Sequence, residues 1–250
     1  MTAVVLTFSL TACISSTSSS KGSTEVVEQN LSSKLNYVAI GASDAVGIGA
    51  SVNTLGYVFQ IRDSLEIIAD TVEFTNMGVS GHVIEEMINF QMQSTINANP
   101  DIVTIWVGGN DFQDHLTSYF FEKSINTVVD FRSDLKVLLG TLKDSLPDAE
   151  IFIADLPDMA KLPSVRTFIG EDPTTASYQA ALEIIDSLNT MIREEAIAYQ
   201  ANFIPLLAEG DLTADPANIS DDGFHPSDQG YGILTDLYLE AILQYIESSN

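Results

Sequence analysis

With 250 residues, 45% of them apolar, the chain is long enough to bury the core of one sizeable α/β domain, alone or with a tail. Its 35 acidic against 10 basic residues give a formal charge of −25, spread along the sequence rather than gathered in one block. This argues against nucleic acid as a partner, since phosphates would be repelled and no Lys/Arg cluster exists to release counterions; the acid is expected to form a solvated surface.

Residues 3–10 form an apolar run too short to span a bilayer but of the length found in the apolar region of an export signal. It ends at Leu10-Thr11-Ala12-Cys13, which resembles the lipobox of bacterial lipoproteins. The resemblance implies cleavage before Cys13 and a lipid on its thiol, which would leave the protein anchored to a membrane in the bacterial cell envelope. Cys13 is the chain's one cysteine, so no intrachain disulfide can form. Residues 14–23 are a polar, low-complexity tether. The expected organisation is therefore a signal segment over residues 1–12, a tether over 13–34 and a folded domain over 35–250. No Lys or Arg precedes the apolar run. That departure leaves two alternatives open: a true start further upstream, or a buried N-terminal segment whose cysteine carries no lipid.

From residue 35 the pattern changes to apolar strands alternating with amphipathic helices. Residues 36–40 read as the first strand, and 54–69 as a helix carrying Leu55, Val58, Phe59, Ile61, Leu65 and Ile68. A second strand spans 71–76, and a helix over 82–98 places Ile84, Met87, Ile88 and Met92 on one face before Pro100. Residues 101–107 are the clearest buried strand and run into Gly108-Gly109-Asn110-Asp111. A long helix is expected over 123–145 and a fourth strand over 150–154. Residues 155–175, with Pro157, Pro163, Gly170 and Pro173, are expected to be an irregular excursion that shapes a substrate site. A helix over 176–199, a fifth strand over 202–206 and a polar loop over 211–229 follow. The last helix is expected to bury Ile233, Leu234, Leu237, Leu239, Ile242 and Leu243.

Such alternation implies a parallel sheet covered on both faces and built by right-handed crossovers. The loops after strands one, two, three and five then converge on one edge. They carry Ser43, Gly78, Asn110 and the pair Asp222/His225. Asp222 lies within one turn of His225, so it can accept from Nδ1 and leave Nε2 to take a proton from Ser43. A serine hydroxyl is a poor nucleophile without such a base. Attack on an acyl carbon also needs donors for the developing oxyanion: the Gly78 N–H, the Asn110 amide and the Ser43 N–H are the candidates. Taken singly, each has a structural reading as well, Asp222 as a helix cap, Gly78 and Gly81 as turn formers, and Asn110-Asp111 as a helix start.

Four blocks, Gly41-Ala42-Ser43, Asn76-Met77-Gly78-Val79-Ser80-Gly81, Gly108-Gly109-Asn110-Asp111 and Asp222-Gly223-Phe224-His225, resemble the Ser/Gly/Asn/His blocks of the SGNH, or GDSL-type, esterase and lipase superfamily, in that family's order. The resemblance implies Ser43 as nucleophile, His225 as base, Asp222 as orienting acid and Gly78 and Asn110 as oxyanion donors. It also implies a flavodoxin-like three-layer α/β/α sandwich on a five-stranded parallel sheet. The departure is Ala42, where the family carries Asp between the glycine and the nucleophile; local hydrogen bonding at the turn is in question, and Asp44 is a candidate substitute.

The motif of an ordinary α/β-hydrolase elbow is absent, because His82 stands where a glycine would follow Ser80. Neither Asp111, Asp114 and His115 nor His82 and Glu85 make a complete metal-ligand set, and no cofactor is expected. Trp106 and Phe112 read as core or pocket wall. The expected activity is a serine esterase acting on a small or lipid-like ester. The alternative from another class is a surface-tethered binding lipoprotein that kept the fold and lost turnover.

Overall fold

The computed structural model describes residues 34–122 and 128–248. The signal segment, Cys13 and the tether up to residue 33 lie outside the described residues, as do residues 123–127 of the expected long helix. In chain order, β1 (Leu35–Gly41) is followed by the one-turn helix α1 (Ser43–Val46) and by α2 (Tyr57–Ile68). Next come β2 (Val72–Asn76), α3 (Ile84–Met87), a π-helical turn at Ile88–Met92 and α4 (Gln93–Ala98). The strand β3 (Ile102–Trp106) leads into α5 (Gly109–Glu122) and α6 (Val128–Ser145), and β4 (Glu150–Ala154) into α7 (Pro163–Ile169) and α8 (Ala176–Ala198). Last are β5 (Asn202–Ile204), α9 (Leu206–Glu209) and α10 (Asp228–Ser248).

The five strands are parallel, in the order β2-β1-β3-β4-β5. Successive side chains along a strand point to opposite faces, and on the central strand β3 both faces are dry, whereas the edge strand β2 exposes Glu73 and Thr75. Val103 and Ile105 of β3, with Ile151 and Ile153 of β4, face a core closed by α6 and α8 through Leu135, Leu138, Leu142, Ile184 and Leu188. Ile102 and Trp106, with Tyr37 and Phe152, face the opposite core, closed by α2 and α10 through Tyr57, Ile61, Leu65, Leu234 and Ile242. Leu138, Leu139 and Leu142 are fully buried, each worth about 1.5–3 kcal/mol of transfer from water. One polar residue breaks the apolar run of β3: Thr104, whose hydroxyl is satisfied by Tyr37 Oη at 2.8 Å.

From β1 the chain moves outward to β2, then returns across β1 to β3. The crevice at the carboxyl ends of β1 and β3 is therefore the switch point where open parallel sheets bind ligands. Ser43 and Asn110 sit in the first turns of the two helices, α1 and α5, that follow these strands.

Several element boundaries differ from expectation. Residues 155–175 are not wholly irregular: they contain a 3-10 turn at Met159–Lys161 and then α7, whose Pro163 occupies the first helical position, where its missing N–H has no acceptor to lose. The segment after Gly108 is already helical, giving α5. Residue 54 lies in a 3-10 turn ahead of α2, and Leu55 is exposed. Leu206 begins α9 rather than ending β5. Leu243 is also exposed, whereas Tyr231 and Tyr238 fill the sheet-facing side of α10. Among the described residues no helix is long and apolar enough to cross a membrane.

Candidate active site

The chain turns sharply after β1 because Gly41 lacks a side chain: a Cβ there would lie 2.8 Å from Ala45 Cβ. The turn presents Ser43 as the first residue of α1, nine-tenths buried or more, with an N–H that has no acceptor within its own helix. On the far side of the molecule's sequence, Gly223 adopts φ +74° and folds the Asp222–His225 turn back on itself. Asp222 Oδ1 accepts from the Phe224 and His225 N–H groups at 2.8 and 2.9 Å. This fixes the carboxylate, whose Oδ2 lies 2.6 Å from His225 Nδ1. His225 Nε2 lies 2.8 Å from Ser43 Oγ.

Partial burial by itself would raise the Asp222 carboxyl, but the hydrogen bonds from the His225 ring and from the His225 and Phe224 N–H groups outweigh it and hold it at about 2. The group is thus an anion throughout the physiological range, facing the ring nitrogen that must carry a proton. Asp44, beside the nucleophile, shows the opposite balance. Its burial pushes the carboxyl above the usual range, opposed by attraction to His225.

Asn110, the second residue of α5, donates one Nδ2 hydrogen to the His82 carbonyl at 2.9 Å and keeps a second for another acceptor. Gly78 differs from expectation as an oxyanion donor. Its N–H donates to Asn76 Oδ1 at 2.9 Å, while Asn76 Nδ2 holds the Ala45 carbonyl at 2.6 Å. The Asn76 carboxamide therefore occupies the amide that was to serve the substrate. Three residues on, Gly81 adopts φ +89°, its N–H forms no backbone hydrogen bond among the described residues, and its neighbour His82 is the residue tied to Asn110.

The turn that holds Ala42 is braced by Gln91 through the Gly41 backbone. Gln91, 1% exposed, accepts from the Gly41 N–H at 3.1 Å, donates to the Gly41 carbonyl at 2.9 Å and lies 3.1 Å from His82 Nδ1. It links the nucleophile turn to the wall that carries Gly81 and His82, and it is presented by the π-helical turn. The sequence held a signal for it: spacing from Ile84, Met87 and Ile88 puts position 91 on the apolar face, where a glutamine is out of place. Gln91→Ala leaves the buried Gly41 N–H unpaired, which costs about 1–3 kcal/mol, or about 2–4 °C in Tm per kcal/mol. If the site is catalytic, kcat falls about ten- to a hundredfold with KM little changed. Thermal melts and steady-state kinetics on the same preparation check both.

Asp111 braces the same wall from beneath. It is 6% exposed, its Oδ1 accepts from the Ile84 N–H at 3.2 Å, and its Oδ2 has no partner among the described residues. Burial pushes its carboxyl up to about 7, against the Ile84 N–H that lowers it. Because the folded-state value lies above the unfolded one of about 3.9, the folded state holds the proton longer. The contribution to stability is present below about pH 4 and is lost as pH rises to about 7. Asp111→Asn keeps an acceptor for Ile84 and removes the titration. Its Tm should fall less steeply than wild type between pH 4 and 7, which a paired melting series measures.

The model of the GDSL-like lipase/acylhydrolase family matches residues 9–233 of the chain. Among solved structures, a lipase from a goat rumen metagenome superposes with a TM-score of 0.66 at 21% identity, over 83% of this chain and 97% of that one. Phospholipase A1 from Streptomyces albidoflavus gives 0.60 at 20% identity, over 84% and 98%. An acetyl-xylooligosaccharide esterase from Geobacillus gives 0.61 at 18%, over 83% and 94%. At these identities the likeness is one of fold. No curated protein matches the sequence.

Proposed function

The chain belongs to the GDSL-like lipase/acylhydrolase family, and from that premise we propose that it is a serine esterase that cleaves carboxylic esters through an acyl-enzyme on Ser43. The observation that carries this reading is the unbroken chain of hydrogen bonds, Asp222 Oδ2 to His225 Nδ1 at 2.6 Å and His225 Nε2 to Ser43 Oγ at 2.8 Å. His225 Nε2 takes the hydroxyl proton as Ser43 Oγ attacks the acyl carbon, and Asp222 stabilises the imidazolium that results. The oxyanion is received by the Asn110 amide and the Ser43 N–H, with the Gly81 N–H in the role first assigned to Gly78. The imidazolium then returns its proton to the leaving alcohol. Water, activated by the same nitrogen, releases the acid and restores Ser43.

The purified chain should hydrolyse p-nitrophenyl acetate or butyrate. Inactivity across a broad ester panel, together with no labelling by a fluorophosphonate, would instead favour a binding protein on the same fold. We further propose that Cys13, outside the described residues, is lipidated and holds the domain at the outer face of a bacterial membrane. Cys13→Ser should move the protein from the membrane to the soluble fraction; a variant that stays with the membrane contradicts the anchor.

A further inference from the structure

Two cavities of very different size lie beside the Ser43–His225 pair, one walled by the chain neighbours of Ser43 and the other by His225. The smaller, about 30 Å³, is flanked by Ala42 and Asp44, the neighbours of Ser43, and by Asn110; Trp106, Leu156 and Met159 are among its walls. It is about a tenth the size of its neighbour and therefore admits a much shorter group. The larger, about 360 Å³, is bordered by Asp222 and His225 themselves. One of its sides is a single face of α5, where Gln113, Leu116, Thr117 and Phe120 recur at helical spacing; the other is α7, through Val165 and Phe168. Phe224, edge-on to the His225 ring with centroids 5.2 Å apart, belongs to both cavities and divides them.

The larger groove is apolar where a strongly charged chain has reason to be polar. Phe168 is 75% exposed and Phe120 37%, on a chain of net charge −25. Large exposed aromatics that rim a cavity next to a reactive group mark a surface that a hydrophobic ligand covers.

The chemistry assigns the cavities to the two halves of the ester. During attack a bond forms from Ser43 Oγ to the acyl carbon, whose oxygen must reach Asn110, so the remainder of the acyl group is held on the small-cavity side. When the acyl carbon to alkoxy oxygen bond breaks, that oxygen must take the proton from His225 Nε2, so the alcohol departs on the His225 side, into the larger groove. We propose, resting on the serine-esterase reading above, that the preferred substrates are short-acyl esters, acetyl or propionyl, of long apolar alcohols, with the alcohol chain lying between α5 and α7. The net reaction is ester plus water to a free alcohol and a short carboxylic acid.

The test uses two isomers, octyl acetate and ethyl octanoate, which share one composition and differ in which side of the ester bears the chain. Octyl acetate should show a kcat/KM at least about tenfold above ethyl octanoate. It should also exceed ethyl acetate, with a gain of up to about fourfold for each methylene the groove buries. Thr117→Trp, which fills the groove from an exposed position on α5, and Phe168→Ala, which removes its rim, should each lower the ratio of octyl acetate to ethyl acetate at least about fivefold. Equal or faster cleavage of ethyl octanoate overturns the proposal, as does a ratio unmoved in both variants. In either case activity on ethyl acetate leaves the esterase reading standing. If no ester is cleaved and no fluorophosphonate binds, the esterase reading fails and the proposal with it.

Discussion

Ser43→Ala is expected to lower kcat for ester hydrolysis by on the order of 10,000-fold or more, with Tm close to that of the wild type. Among the described residues the hydroxyl makes one hydrogen bond, to His225 Nε2 at 2.8 Å, and the alanine methyl replaces it without adding volume at a buried turn. Among the described residues no other hydroxyl is hydrogen-bonded to His225 Nε2. Ser80 lies on the loop after β2, outside the Asp222–His225–Ser43 chain of hydrogen bonds. The residual rate in the variant reports what Asn110 and the backbone donors can do with water as nucleophile. Measurement on p-nitrophenyl butyrate with the melting curve alongside separates lost chemistry from lost fold.

Asp222→Asn is the second large effect, expected at about 10,000-fold in kcat. The reason is the identity of the atom that faces the ring. Asp222 Oδ1 accepts from the Phe224 and His225 N–H groups, at 2.8 and 2.9 Å. An asparagine oxygen can keep both bonds. Its NH2 group must then face His225 Nδ1, which turns that nitrogen into the acceptor and puts the ring proton on Nε2, where it blocks proton transfer from Ser43. The fold survives and the base is in the wrong tautomer. Because the wild-type carboxyl is held at about 2, this partner stays ionised well into acid. A loss of wild-type activity between pH 4 and 6 is then not a titration of Asp222.

The sheet and the main site residues were legible because both follow from short-range pattern. Buried parallel strands are near-continuous apolar runs, and residues 102–106 and 150–154 have little else they could form. Ser43, Asn110, Asp222 and His225 were legible because each stands just past a strand or in the last polar loop, and the sheet order brings those loops together. Gly78 and Gly81 were not distinguishable by spacing; what separates them is a side-chain bond, Asn76 Oδ1 to the Gly78 N–H, which only the folded chain shows. The helix α5 was missed because its first residues, Gly109 and Asn110, have turn propensity, and packing against α8 overrides it. In α7 the proline that suggested a break is the residue that starts the helix. Gln91 was visible as a polar residue on an apolar face, but its partner, the Gly41 backbone, is fifty positions away in sequence.

The central claim is that Ser43 is a nucleophile activated by His225, and covalent trapping tests it most directly. The purified chain is treated with a fluorophosphonate, and the modified residue is located by mass spectrometry of its peptides. The account predicts one phosphonyl adduct, on Ser43, that is lost in Ser43→Ala and strongly slowed in Asp222→Asn. An adduct on Ser80 or on another side chain, or no adduct in a preparation that hydrolyses esters, would contradict it.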